Sequence, residues 1–193
     1  MINKILKSHQ EIVQMLMDDE ELNATIEHIT ESIVECFRHD NKVLFCGNGG
    51  SAADAQHLAA ELSGRFYLDR PPLPAEALHT NSSYITAVAN DFSFDDIYSR
   101  YVKGVGKKGD VILGFSTSGN SKNVVKAFES ANEIELITVG FTGEDGGELA
   151  ELSDFLINIP SNDTPRIQEA HIIIGHIICE IVEKELFGNE DYM

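Results

Sequence analysis

The sequence predicts an α/β fold in which a parallel sheet is covered by helices on both faces. Short, almost wholly apolar runs that read as strands alternate with longer runs of helical period. Those strands lack the in-out alternation of a sheet with one wet face, and two of them run straight into glycine- and serine-rich turns that open helices.

The elements follow in order. Ile2, Ile5 and Leu6 open one apolar stripe, and Ile26, Ile29, Ile33, Val34 and Phe37 form another. Two N-terminal helices are therefore expected, an extension over residues 1–40 packed on a single domain spanning 1–193. KVLFC (42–46) is the first strand; it leads through GNGGS (47–51) into a helix that ends near Gly64. After the Pro71-Pro72 break a second strand is expected over 73–79, then helical pattern from Ser82 to about Gly106, interrupted near Asn90-Asp91. DVILGFS (110–116) is a buried strand, followed by STSGNS (116–121) and a helix over 122–132. ELITVGF (135–141) and DFLINIP (154–160) are two more strands, bracketing a short helix over 147–152. Residues 164–186 form one long apolar helix, with Pro165 in the first turn, where its missing N–H is no loss. The acidic end Gly188-Asn189-Glu190-Asp191 reads as a frayed tail.

Composition narrows the functions. A chain of 193 residues, 42% hydrophobic, can bury a full core. A net charge of -18 argues against nucleic acid as partner, because phosphates would be repelled. No run is long enough to span a bilayer, and the opening MINKILKSHQEIVQ is too polar for a signal peptide, so no membrane partner is expected. Cys36, Cys46 and Cys179 are odd in number, lack CxxC spacing and sit among apolar residues, as reduced core thiols of a cytoplasmic protein would.

The two loops read as anion cradles. Unpaired N–H groups at a helix N-terminus and the helix dipole favour negative charge, glycines let the backbone approach, and hydroxyls add donors. Gly47-Asn48-Gly49-Gly50-Ser51-Ala52 also satisfies GxGxxA, but a dinucleotide site wants an acid near the end of the second strand, and that strand ends Ala77-Leu78-His79. No GxxxxGK[ST] occurs, which disfavours P-loop nucleotide hydrolysis. In the second loop Ser116, Thr117, Ser118 and Ser121 crowd hydroxyls around Gly119 and Asn120, more than a turn requires. A phosphorylated small molecule is the expected ligand, held at a local exception to the global charge.

His57 and Glu61 stand four residues apart on one face of the helix that opens at GNGGS. By spacing alone they are two ligands of a divalent metal, an acid and a base, or a solvated pair. The last helix carries Gln168, Glu169, His171 and His176 among isoleucines. Gln168 and His176 lie roughly 12 Å apart along the axis, where two long side chains leaning together could just meet one metal. His171 projects elsewhere and is expected either to be structural or to support the ligating side chains from behind. Arg166 sits in the first turn, where the dipole disfavours a cation, which suggests that it answers a carboxylate or phosphate.

GNGGSAADAQHLAAEL, AVANDFSFDDIYSRYV, STSGNS, TGEDGGELA and RIQEAHIIIGHII, in this order over nearly the whole chain, resemble the phosphoheptose isomerases of the sugar isomerase (SIS) domain superfamily. The resemblance implies a doubly wound three-layer sandwich with a five-stranded parallel sheet, assembled as a homotetramer with active sites between subunits. It implies conversion of sedoheptulose 7-phosphate to D-glycero-D-manno-heptose 7-phosphate, a precursor of bacterial surface polysaccharide. It implies one zinc per subunit on His57, Glu61, Gln168 and His176. Substrate falls to Asn48, Gly49, Gly50, Ser51, Glu61, Asn90, Asp91, Ser116, Thr117, Ser118, Ser121 and Gln168. Arg65 falls at an arginine shared with such enzymes, with no definite role.

Moving a carbonyl between C1 and C2 requires taking a carbon-bound proton, stabilising an enediolate and returning the proton to the neighbouring carbon. Glu61 and His176 are the expected acid/base pair, with the hydroxyl loop gripping the distal phosphate and a metal polarising the oxygen where charge develops. Two other readings stand beside this one. Replication-initiator-associating proteins share the loops and the RIQE segment but bind a protein partner; they lack the counterpart of Glu61. An isomerase of another sugar phosphate, such as a hexulose 6-phosphate, would need the same phosphate loops.

Overall fold

The structure, a computed structural model, describes residues 1–188. Its five strands are β1 (Val43–Gly47), β2 (Ala75–Ala77), β3 (Val111–Phe115), β4 (Ile137–Thr142) and β5 (Phe155–Asn158). All pair in parallel, in the order β2-β1-β3-β4-β5. The helices are α1 (Ile2–Asp18), α2 (Glu20–Arg38), α3 (Gly50–Ser63), α4 (Ser82–Asp91), α5 (Ile97–Val105), α6 (Lys122–Glu133) and α7 (Thr164–Phe187), with 3-10 turns at Phe94–Asp96 and Gly147–Leu152. The acidic end read as a frayed tail lies, from residue 189 on, outside the described residues.

Strand alternation sends side chains into two cores, one on each face of the sheet. Val43, Phe45, Val111, Leu113, Phe115, Val139 and Phe141 meet the stripes of α1, α2, α3 and α7. Leu44, Cys46 and Ile112 meet α4, α5 and α6. This is the three-layer, doubly wound sandwich expected. Asp19 caps α2 by accepting from the Leu22 N–H (2.9 Å), and Glu20 and Glu21 add charge of the sign the helix N-terminus favours. Buried Asp110 accepts from the Lys42 and Lys107 N–H groups (3.0 Å each) and pairs with Lys42 Nζ (2.8 Å), which fixes the starts of β1 and β3 against each other.

The expected strand over 73–79 shrinks to three residues. Pro71, Pro72 and Pro74 have no N–H to give a neighbouring strand, so before Ala75 only a carbonyl takes part, that of Pro74 accepting from Val43 N. At the fourth strand Glu135 adopts φ 61°, a turn conformation, so the strand starts at Ile137 rather than at residue 135. The three cysteines are buried free thiols, as expected. Burial pushes Cys36 and Cys179 up to about 12 and raises Cys46 as well, so none is a nucleophile near neutral pH.

His171 is structural. It is fully buried on α7 beside the paired rings of Phe115 and Phe141, and its Nε2–H donates to the Thr142 carbonyl (3.0 Å) at the end of β4. Burial, partly offset by that carbonyl, lowers its pKa to about 4. The unfolded chain, with an ordinary histidine, then binds this proton more readily than the folded one, so stability present above about pH 6.5 is lost as pH falls toward 4. The stability difference between wild type and His171→Gln should shrink steadily from pH 7 and be least near pH 4 in thermal melts: the wild type loses up to about 3 kcal/mol over that range from this group, and the variant does not.

Candidate active site

Chain order makes the site. From β1 the chain crosses to β2 on one side and returns to β3 on the other, so the connections leaving β1 and β3 splay apart over their carboxyl ends. GNGGS leaves β1 and STSGNS leaves β3 at that switch point. The two loops are joined there by an amide pair: Asn48 Nδ2 donates to Asn123 Oδ1 and Asn123 Nδ2 to Asn48 Oδ1, both at 2.8 Å. The Tyr98 hydroxyl closes the underside by donating to the Gly47 carbonyl.

The second loop is a tight bowl. Ser116 Oγ donates to Ser121 Oγ (2.9 Å) and accepts from Ser121 N (3.3 Å), while Gly119 N returns to the Ser116 carbonyl (2.8 Å). Ser118 and Asn120 are exposed, Thr117 and Ser121 half-buried. Ser121 then stands at the N-cap of α6, so its hydroxyl and the first free N–H groups of that helix share one edge of the bowl. Gly49 and Gly50 are exposed and Ser51 is buried at the start of α3.

Along one face of α3 stand Gly50, Asp54, His57 and Glu61, facing α7. His57 Nε2 lies 2.9 Å from His176 Nε2 and 3.4 Å from Glu61 Oε1, and one ligand atom from each of the three falls within 4.8 Å of the others. Two donors on a tetrahedral zinc at ordinary bond lengths sit roughly 3.4 Å apart, so these residues fit one divalent cation. Gln168, the fourth expected ligand, is placed a turn or more nearer the glycine loop. Its carboxamide lies so close over Gly50 that a Cβ there would overlap its nitrogen and oxygen. It also helps the nearby His57 to hold down the Asp54 carboxyl, which burial nonetheless keeps above its ordinary pKa. A side chain at residue 50 would therefore have to push the Gln168 carboxamide aside, a coupling that the bare motif does not express.

Asn90 and Asp91 close α4 at the surface, Asn90 Nδ2 donating to Asp91 Oδ1 (2.8 Å). Arg166 answers a carboxylate, as expected, that of Glu169 (2.7 Å). Arg65 is exposed beside the Tyr67 carbonyl. Sequence reasoning passed over Asn123 and Asp54. A buried asparagine in the first turn of α6, just before Val124 and Val125, was the available signal for Asn123; Asp54, three residues before His57, had none of its own.

Comparison with known proteins decides the family. Residues 7–143 match the SIS domain. The chain is 50% identical over 188 residues to the phosphoheptose isomerase of Sulfurimonas denitrificans, covering 97% of this chain and 96% of that one. The chain belongs to the phosphoheptose isomerase family. A Clostridium acetobutylicum member is 51% identical over 185 residues, covering 96% and 94% of the two chains. The solved phosphoheptose isomerase of Neisseria gonorrhoeae superposes with a TM-score of 0.89 at 39% identity, covering 95% of this chain and 97% of its own. That of Francisella tularensis gives 0.90 at 34%, covering 95% and 96%. The fold expected from the resemblance is the family fold, and likeness over nearly the full length decides for an isomerase rather than a partner-binding relative.

Proposed function

We propose that the chain interconverts sedoheptulose 7-phosphate and D-glycero-D-manno-heptose 7-phosphate through an enediolate, with Glu61 and His176 as the acid/base pair. The convergence of His57, Glu61 and His176 across the α3–α7 seam, on the helix that opens at a phosphate-type loop, carries the reading. The hydroxyls of Ser116, Thr117, Ser118 and Ser121 hold the phosphate, and Ser51 and the backbone of residues 48–50 line the facing loop, with Asn90 and Asp91 as further substrate contacts. Binding energy gained at that remote end orients the reacting carbons. Glu61 takes the proton from one carbon and delivers it to the neighbouring carbon of the enediolate, while His176 moves the proton between the two oxygens, and each acts in the opposite sense in the reverse reaction. A zinc ion on His57, Glu61 and His176, with Gln168 as the further ligand the family resemblance implies, would supply polarisation of the oxygen on which charge develops.

A homotetramer with sites between subunits, located in the cytoplasm, completes the proposal. Exposed Ile2, Ile5 and Leu6 on α1, and Phe92 and Phe94 beside Asn90-Asp91, support burial against further copies. Among the described residues no helix is long and apolar enough to cross a membrane.

Proton NMR of sedoheptulose 7-phosphate in deuterated water tests the function, run on protein as isolated, after chelation, and after zinc replacement. The aldose should appear carrying deuterium at C2, with turnover lost on chelation and restored by zinc. Turnover of a hexulose 6-phosphate alone, or no turnover together with capture of a replication initiator, would overturn it.

A further inference from the structure

One buried charge pair lies just beyond the seam. The Arg70 side chain is fully buried and that of Glu183 is 2% exposed, with Nε 2.9 Å from Oε1. Both groups are fully engaged. Arg70 Nη1 donates to the carbonyls of Leu62 (2.7 Å), Gly64 (3.3 Å) and Pro71 (3.0 Å), and Nη2 to that of Glu61 (2.9 Å). Glu183 accepts the N–H groups of Phe66 (3.0 Å), Tyr67 (2.7 Å) and Leu68 (2.9 Å). A buried ion pair is no better for stability than packed apolar side chains of its size, so its use is to be sought in what it fixes.

We propose that Arg70 and Glu183 are positioning residues that set Glu61 and His176 against each other, acting through the backbone of Glu61 and the ring of Phe66. The proposal rests on the reading of Glu61 and His176 as the acid/base pair. Glu183 follows His176 by seven residues, two turns on, on the same face of α7. It anchors the peptide of Phe66, whose ring lies 5.9 Å from the His176 ring and 4.5 Å from that of Tyr67. Its partner Arg70 binds the carbonyl of Glu61 itself, at the end of α3, where the last carbonyls have no helical partner and a cation is favoured. One ion pair therefore sets the axial position of α3 relative to α7 and the wall against which the His176 imidazole rests. A misplacement of about 1 Å between reacting groups can cost on the order of a hundredfold in rate.

The variants Arg70→Lys, Glu183→Gln and Phe66→Leu test this, with Lys108→Ala, in an exposed ion pair with Glu135, as control. Phe66→Leu leaves both charges paired and keeps the test alive if the other two fail to fold. Each protein is assayed with sedoheptulose 7-phosphate and its histidine side chains followed by long-range proton–nitrogen NMR, the His176 signals being those missing in His176→Gln. The expected result is kcat lower by about ten- to hundredfold with KM within about twofold, and displaced His176 signals while those of His171 stay. Wild-type kcat and His176 signals in Phe66→Leu and in every clasp variant that folds, with loss confined to melting temperature, would overturn the proposal. If the wild type does not turn over the sugar, the functional reading falls, and the clasp is judged on the His176 signals alone.

Discussion

Glu61→Gln is expected to lower kcat by about 10²- to 10⁴-fold while KM changes little. The amide keeps the shape and reach of the carboxylate but cannot take a proton from carbon. The substitution touches neither phosphate loop, so ground-state binding should persist. Because Glu61 Oε1 also stands 3.4 Å from His57 Nε2 in the three-residue cluster, the same change should weaken zinc binding. The two effects separate by measurement: steady-state turnover is followed with zinc held saturating, and zinc affinity is titrated independently by competition with a chelator. Deuterium incorporation at C2 by the zinc-saturated variant at close to the wild-type rate would remove Glu61 from the acid/base role and leave it a ligand only.

Gly119→Ala should be the most damaging single methyl group in the second loop. Gly119 adopts φ 67°, which costs an alanine roughly 1–2 kcal/mol. Its new Cβ would fall on the Gly146 carbonyl, a backbone group that has no rotamer to escape into. Gly146 cannot retreat freely, because the neighbouring Gly147 already packs on the Gly119 and Ser118 backbones, and Leu149 N and Glu148 N are bonded to Gly119 O and Asn120 Oδ1, each at 3.0 Å. Overpacking of this kind adds about 1–3 kcal/mol. A fall in melting temperature on the order of 10 °C is expected, with KM raised because the Ser116–Ser121 bowl is displaced. Calorimetry and steady-state kinetics check the two halves; an unchanged melting temperature would show that the loop does not need this crossing.

The elements were legible because each is coded locally. Strands buried on both faces have to be apolar at every position, and α2 and α6 bury one stripe at helical spacing, so both periods stand out along the chain. What went astray was short-range as well: proline at the sheet edge removes donors and trims β2, and the positive φ at Glu135 delays β4. The site was legible in part. His57 and Glu61 share a helix, and their spacing shows it. Gln168 and His176 also share a helix, but the destination of each side chain depends on a different turn of α3, and the spacing reaches no further than the possibility of a common ligand.

By itself, then, the sequence determined the parallel sheet, the two loops at strand ends, the His57–Glu61 face and, through five motifs in order, the family. Only the tertiary structure decided that His176 completes the cluster while Gln168 lies over Gly50, that Asn48 and Asn123 join the loops, and that Arg70 reaches Glu183. Helices and strands are written in contacts between near neighbours, whereas each of these pairings spans more than sixty residues and exists only once the chain has packed, against α7 for His57, Gly50 and Arg70 and against the start of α6 for Asn48.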